Sequence, residues 1–148
     1  EDDRALITNK DLIAIDQDEL AQPAEFVARE GDLYYFEKPL SNGDVAIAVT
    51  NVGEKTQNFR LDLSRFPLTK GFRAFSVRDC QQLTDVGAVK GGFDTSVRSH
   101  ATLVYRLSEN IEIGNIVRRN LKKTLAPEEP KKKTTVPPTS AAPKRVRK

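Results

Sequence analysis

Residues 33–50, LYYFEKPLSNGDVAIAVT, decide the fold. Two runs of aromatic and β-branched residues, 33–38 and 44–50, flank Ser41-Asn42-Gly43. Asn and Gly both tolerate the positive φ that a tight hairpin turn demands, so the stretch predicts two antiparallel strands joined at Asn42-Gly43. Four more stretches share this character: 25–29, 57–63, 72–78 and 101–107. In 57–63, Phe59, Leu61 and Leu63 fall on one face and Arg60 and Asp62 on the other, and a period of two buries one face. The alternation is weaker in 72–78, where Phe72, Ala74 and Ser76 oppose Arg73, Phe75 and Val77. Further turn signals stand at Glu30-Gly31-Asp32, Asn51-Val52-Gly53-Glu54, Lys70-Gly71 and Gly91-Gly92. Short strands at this spacing, with no helices between them, predict a mainly β chain: an antiparallel sandwich of about eight short strands over residues 23–107.

Outward from this core the character changes in both directions. Residues 1–22 read as helical. Asp2 and Asp3 supply acid to a first turn, Asn9 can cap a second helix, and Leu12, Ile13, Ile15 and Leu20 form an uneven apolar face. The helical segment is expected to stop at Gln22-Pro23, because a residue before proline avoids the α region. On the other side, Ile113, Ile116, Val117, Leu121 and Leu125 recur at helical spacing among Arg118, Arg119, Lys122 and Lys123, which predicts an amphipathic helix over 108–126. Gly114 weakens it by about 1 kcal/mol relative to Ala. Residues 127–148 are mostly Pro, Lys, Thr, Ser and Ala. Such a segment buries too little apolar area to offset its ordering entropy and is expected to be disordered.

Charge divides along the same boundaries. Residues 108–148 carry 11 Lys+Arg against 4 Asp+Glu, whereas residues 1–107 carry 13 against 17. The net charge of +3 is therefore a property of the tail, and the body is mildly acidic. A nucleic-acid reading of the body finds no support in that balance. The single cysteine, Cys80, excludes an intrachain disulfide and a cysteine metal cluster and is compatible with a reducing compartment. No apolar run is long enough to span a bilayer. The chain has no methionine, so residues are expected to have stood before Glu1.

Residues 8–20, TNKDLIAIDQDEL, resemble the last barrel helix of family 27 glycoside hydrolases, the α-galactosidase (melibiase) group. The similarity is collinear over about residues 5–107. Tyr35-Phe36-Glu37-Lys38-Pro39-Leu40-Ser41-Asn42-Gly43 looks like that family's aromatic-x-(Lys/Arg)-Pro-Leu-Ser-(Asp/Asn)-Gly hairpin. Val45–Asn51 resembles the strand that follows it. Phe75-Ser76-Val77-Arg78-Asp79 is similar to a Val-Arg-Asp-Leu-Trp strand, Asp85-Val86-Gly87 to Asp-Leu-Gly, and residues 99–107 to a terminal Pro-His-Gly strand ending in Arg-Leu. The chain departs at Glu19 for proline, Cys80-Gln81 for Leu-Trp and Ser99 for proline. The resemblance implies a C-terminal sandwich, with the last helix of a (β/α)₈ barrel attached, from an enzyme whose two catalytic aspartates lie on the barrel. Retaining hydrolysis needs two carboxyls roughly 5 Å apart. No position here matches either motif, so this chain is expected to be inactive alone, and the catalytic barrel is its expected partner in cis.

Individual residues fit that reading. Asp16 and Asp18, two apart on a helix, do not face one another and are expected to be solvated or bonded to loop amides. His100, the only histidine, has no triad or metal partners and is expected to make a structural hydrogen bond. Cys80 is expected to be buried and unreactive. Gly91-Gly92 lacks the Lys-Ser/Thr and helix of a phosphate cradle and reads as a turn. Tyr34 and Phe36 point to one side of a strand and Tyr35 to the other, leaving too little exposed aromatic area for a sugar platform. No catalytic residue, cofactor or metal ligand is expected. Lys131, Lys132, Lys133, Lys144, Arg145, Arg147 and Lys148 form two basic clusters that could contact a polyanion or a membrane surface. Three functions follow: an accessory sandwich that stabilises a glycosidase barrel, a carbohydrate-binding module, or an interaction protein acting through its basic tail.

Overall fold

The computed structural model describes residues 3–71, 73–112, 115–116 and 119–120. Two short helices, α1 (Asp3–Ile7) and α2 (Lys10–Asp16), precede eight strands. These are β1 (Glu25–Glu30), β2 (Leu33–Pro39), β3 (Val45–Asn51), β4 (Gln57–Asp62), β5 (Ala74–Asp79), β6 (Thr84–Lys90), β7 (Gly92–Val97) and β8 (Thr102–Glu109). They form a six-stranded antiparallel sheet of order β1-β2-β3-β8-β5-β6 and a two-stranded sheet, β4-β7. All six stretches read as strands are strands, within two residues at each end. β6 and β7 went unread. The helical segment ends well before Pro23: α2 stops at Asp16, and residues 21–24 are irregular. Residues 111–112, 115–116 and 119–120 are helical, while 113–114, 117–118 and 121–148, with most apolar positions of the expected amphipathic helix and both basic clusters, lie outside the described residues.

The decisive hairpin forms as its residues require. Gly43 has φ 85°, the Asn42 side chain accepts from the Asp44 amide at 3.0 Å, and Leu40 N–H donates to Asp44 O at 2.9 Å. The period of two then sorts side chains. Leu33, Tyr35, Val45, Ile47 and Val49 point inward with Phe75, Val77, Tyr105 and Leu107. Opposite stand Leu61 and Val97 from the smaller sheet. Two strands cannot cover six, and the remainder of the inner face is closed by the segment after β4. There Leu63 and Phe66 are buried, and Phe66 meets Tyr35 edge to face at 6.1 Å. In β5 the core face belongs to Phe75 and Val77, with Ser76 exposed, which settles the weak alternation there.

Both rims of the large sheet are irregular. In β1 the register passes from Phe26↔Phe36 to Ala28↔Tyr35, leaving Val27 unpaired. In β6 it passes from Gly87↔Val77 to Asp85↔Arg78, leaving Val86 unpaired. Each is a one-residue bulge.

Candidate functional site

The outer face of the six-stranded sheet carries the features that a partner or ligand can use. Its rows follow from the strand register. Phe36, Ala48 and Val104 stand side by side on β2, β3 and β8, and Lys38, Ala46, Arg106 and Arg78 form the next row across β2, β3, β8 and β5. Helix α2 lies over these rows.

No residue of α2 is buried, so apolar packing alone does not hold it. Polar contacts fix both ends. Asn9, the N-cap, accepts from the Asp11 and Leu12 amides at 3.0 and 3.1 Å, and its Nδ2 donates to Cys80 O at 2.6 Å. Asp11 meets Arg78 Nε at 2.6 Å. At the far end Lys38 Nζ donates to Ile15 O at 2.5 Å, placing a cation against carbonyls of a last turn that has no basic residue of its own. Beyond the helix, Asp18 accepts from Ser41 N–H and Oγ at 2.8 and 2.9 Å.

Beneath α2, alanines at 46 and 48 leave an apolar hollow of about 350 Å³, bordered by Leu12, Ile15, Phe36 and Val104. Leu6 and Ile7 on α1 and Ile13 on α2 are exposed, at 59, 72 and 37 %. Phe26 on the rim strand, 57 % exposed, packs against Tyr34 and Phe36 at 6.2 and 5.8 Å. The exposed aromatic area is therefore larger than residues 34–36 alone suggested. The rings are tilted by 51° and 68° and make no coplanar platform.

The residues weighed in the sequence fall as follows. Asp18 is an anchor for the hairpin tip. Slight desolvation pushes its carboxyl up, but hydrogen bonds from Leu20 and Ser41 together with Lys38 outweigh it and hold the pKa below the ordinary value. Asp16 is exposed. Cys80 is fully buried, and burial, aided by the Asp11 charge, pushes its thiol up to about 11, well away from a reactive thiolate. His100 takes a left-handed backbone, φ 55°, and its exposed ring lies 3.3 Å from Glu54. Gly91 makes the turn with φ 76°, and Gly92 opens β7. Among the described residues no group of three His, Cys, Asp or Glu side chains could hold a metal.

Three buried polar residues went unmarked in the sequence: Asn51, Glu37 and Thr69, whose Oγ1 donates to Leu63 O at 2.7 Å. Asn51 ties the end of β3 to that of β7: Nδ2 donates to Lys55 O and Arg98 O, and Oδ1 accepts from Gly53 N–H. Glu37 enters the core side of β2, where burial pushes its carboxyl above the ordinary range against the hydrogen bond from Leu68 N–H.

Two antiparallel sheets packed face to face, with a capped helix strapped across the outside of the larger one, define a β-sandwich domain entered through a helix. Residues 30–107 match the alpha galactosidase C-terminal beta sandwich domain, and the chain belongs to that family. Alpha-galactosidase A of Aspergillus niger is 32 % identical over 112 residues, 72 % of this chain and 19 % of that protein. Alpha-galactosidase 2 of Arabidopsis thaliana is 30 % identical over 103 residues, 70 % of this chain and 26 % of that protein. The chain thus spans about a fifth to a quarter of these relatives. The crystal structure of alpha-galactosidase I from Mortierella vinacea has the same fold, with a TM-score of 0.66 at 21 % identity over 72 % of this chain and 28 % of that one.

Proposed function

We propose that this chain is the supporting sandwich of an α-galactosidase-like glycoside hydrolase, packed in cis against a catalytic (β/α)₈ barrel and inactive without it. The observation that carries this reading is the exposure of Leu6 and Ile7 on α1 and of Ile13 on α2, the second helix being tethered to the sandwich through Asn9 and Asp11. Large apolar side chains exposed on a short helical segment tethered in this way are a surface built to be covered. Family membership supports the hydrolase context, and the small share of its relatives that the chain spans supports a barrel elsewhere in the functional protein. Two measurements test it. The purified chain should release no nitrophenol from nitrophenyl α-galactoside, and release abolished by a point change within the chain would overturn the reading. In sedimentation velocity the chain should self-associate with rising concentration, and the triple change Leu6→Ser, Ile7→Ser, Ile13→Ser should suppress this. Equal behaviour of both forms would remove the argument for a covered face.

The charge asymmetry favours a second activity. We infer that the clusters 131–133 and 144–148 contact polyanions electrostatically. Binding of the full chain to heparin should fall steeply with salt and vanish on deleting residues 126–148, and retention at high salt would contradict it.

A further inference from the structure

Asn42-Gly43 carries a covalent chemistry besides its turn. Among the asparagines of the chain only Asn42 precedes a glycine; the others precede Lys, Val, Phe, Ile or Leu. Asparagine is thermolabile because the backbone nitrogen of the next residue can attack its side-chain amide and close a five-membered ring. A Cβ on that next residue crowds the approach, and glycine has none. Ser41, Asn42 and Gly43 are exposed, and a Cβ built on Gly43 would meet nothing within 4 Å, so water has access to the ring atoms.

The folded hairpin holds both reacting groups back. The nucleophile, Gly43 N, donates its hydrogen to Leu40 O at 3.0 Å. The leaving group, Asn42 Nδ2, donates to Asp44 Oδ2 at 3.1 Å, and Asn42 Oδ1 accepts from the Asp44 amide at 3.0 Å. Asp44 is itself fixed by Arg106 Nε at 2.8 Å. Turning the Asn42 side chain toward its own backbone breaks both bonds to Asp44, and freeing the Gly43 nitrogen breaks the third.

We propose that Asn42 is a site of self-modification gated by this hairpin. Gly43 N bonds to Asn42 Cγ, the Cγ–Nδ2 bond breaks, and Nδ2 departs as ammonia with the hydrogen that Gly43 N carried. Water then opens the ring. Addition at Cγ gives aspartate; addition at the backbone carbonyl of residue 42 gives isoaspartate, in which the main chain runs through Cβ and Cγ. The two products differ for the fold. Aspartate keeps the backbone and an oxygen that can accept from the Asp44 amide. Isoaspartate adds a carbon to the main chain inside the turn, so the bonds Gly43 N–H to Leu40 O and Leu40 N–H to Asp44 O no longer fit together. Ser41, whose amide and hydroxyl hold Asp18, lies in the same turn, so isoaspartate also loosens the segment leading from α2 to β1. The chemistry is intramolecular, takes only water, and does not rest on the barrel reading.

Peptide mapping by mass spectrometry of the full chain aged at pH 8 tests this. Exchange of NH2 for OH should appear first at residue 42, in two chromatographic forms. It should run roughly tenfold or more faster in denaturing urea, where the three bonds are open. In urea, where folding no longer matters, Gly43→Val should slow it by roughly tenfold or more. The isoaspartate form, isolated by ion exchange, should exchange its Ser41 and Gly43 amides roughly tenfold faster than fresh chain, whereas Asn42→Asp should stay within about threefold. Asn42→Ser, which keeps a turn oxygen and lacks the amide, should show no change in these amides on ageing. The proposal is overturned by no conversion at residue 42, by conversion that starts at another asparagine, by equal rates in folded and unfolded chain, by an unchanged rate in Gly43→Val, or by an isoaspartate form as protected at Ser41 and Gly43 as fresh chain.

Discussion

Replacing Asn9 by Ala should release helix α2 while leaving the sandwich intact. A helix of seven residues is not stable in water by itself. Its order therefore depends on its tethers, and Asn9 supplies two of them. Loss of the cap bonds to the Asp11 and Leu12 amides costs about 1 kcal/mol. Loss of the 2.6 Å bond from Nδ2 to Cys80 O costs about 1 kcal/mol more. The sum of about 2 kcal/mol corresponds to a change of roughly thirtyfold in the opening equilibrium. Native-state hydrogen exchange reads this directly. The Ile13 and Gln17 amides, bonded to Asn9 O and Ile13 O, should exchange about thirtyfold faster in Asn9→Ala. Amides of Val49 and Leu107, in the sheet, should not change. Asn9→Ser keeps a capping oxygen but lacks the donor to Cys80, so it should show about half the effect on a logarithmic scale. Acceleration of less than twofold in Asn9→Ala would refute the tether argument. Equal acceleration at Val49 and Leu107 would refute the idea that α2 opens separately from the sandwich.

Three further outcomes are expected. Burial raises the folded-state pKa of Glu37, so its contribution to stability is fully present below the unfolded-state pKa and is lost as pH rises through the folded value; Glu37→Gln should therefore raise the thermal midpoint at pH 8 and leave it near that of the parent at pH 4, and a lowered midpoint at pH 8 would contradict this. Gly92→Ala places its methyl group against the backbone oxygen of Leu61 across the β4-β7 pair, whereas Gly43→Ala meets open space and strains only its own φ; urea unfolding should find the first clearly more destabilising than the second, which should cost about 1 kcal/mol. Phe66→Ala empties the plug of the inner face and should cost about 3–5 kcal/mol by the same measurement, a loss below 1 kcal/mol placing Phe66 outside the core.

Much of the fold was legible because its signals are local. Asn42-Gly43 and the runs on either side carry both a turn requirement and a period of two within eighteen residues. Asn9 was legible for the same reason: a cap acts on amides two and three residues away. β6 was not, because every residue but Val89 in it is exposed and no alternation marks a rim strand with only one neighbour. The early end of α2 was also hidden. One of its last carbonyls, Ile15 O, is satisfied by Lys38, 23 residues further on. A polar groove beside α2 is the extreme case. Asp11, Arg78, Asp85 and Arg106 come from α2, β5, β6 and β8, and only the sheet order brings them together. The aromatic reading of residues 34–36 fell short because Phe26, eight residues before Tyr34, joins that cluster through strand pairing.

The unpaired Val27 and Val86 have a consequence for how the domain meets its surroundings. An exposed strand offers a ladder of free amides and carbonyls onto which a foreign chain can zip. A single extra residue at each border throws that ladder out of step, so an incoming strand would lose its spacing partway along. Lateral addition of a strand is thereby disfavoured at both borders of the six-stranded sheet. What stays open to neighbours is the broad side under and around the strapped helix, where recognition depends on side chains and not on the backbone.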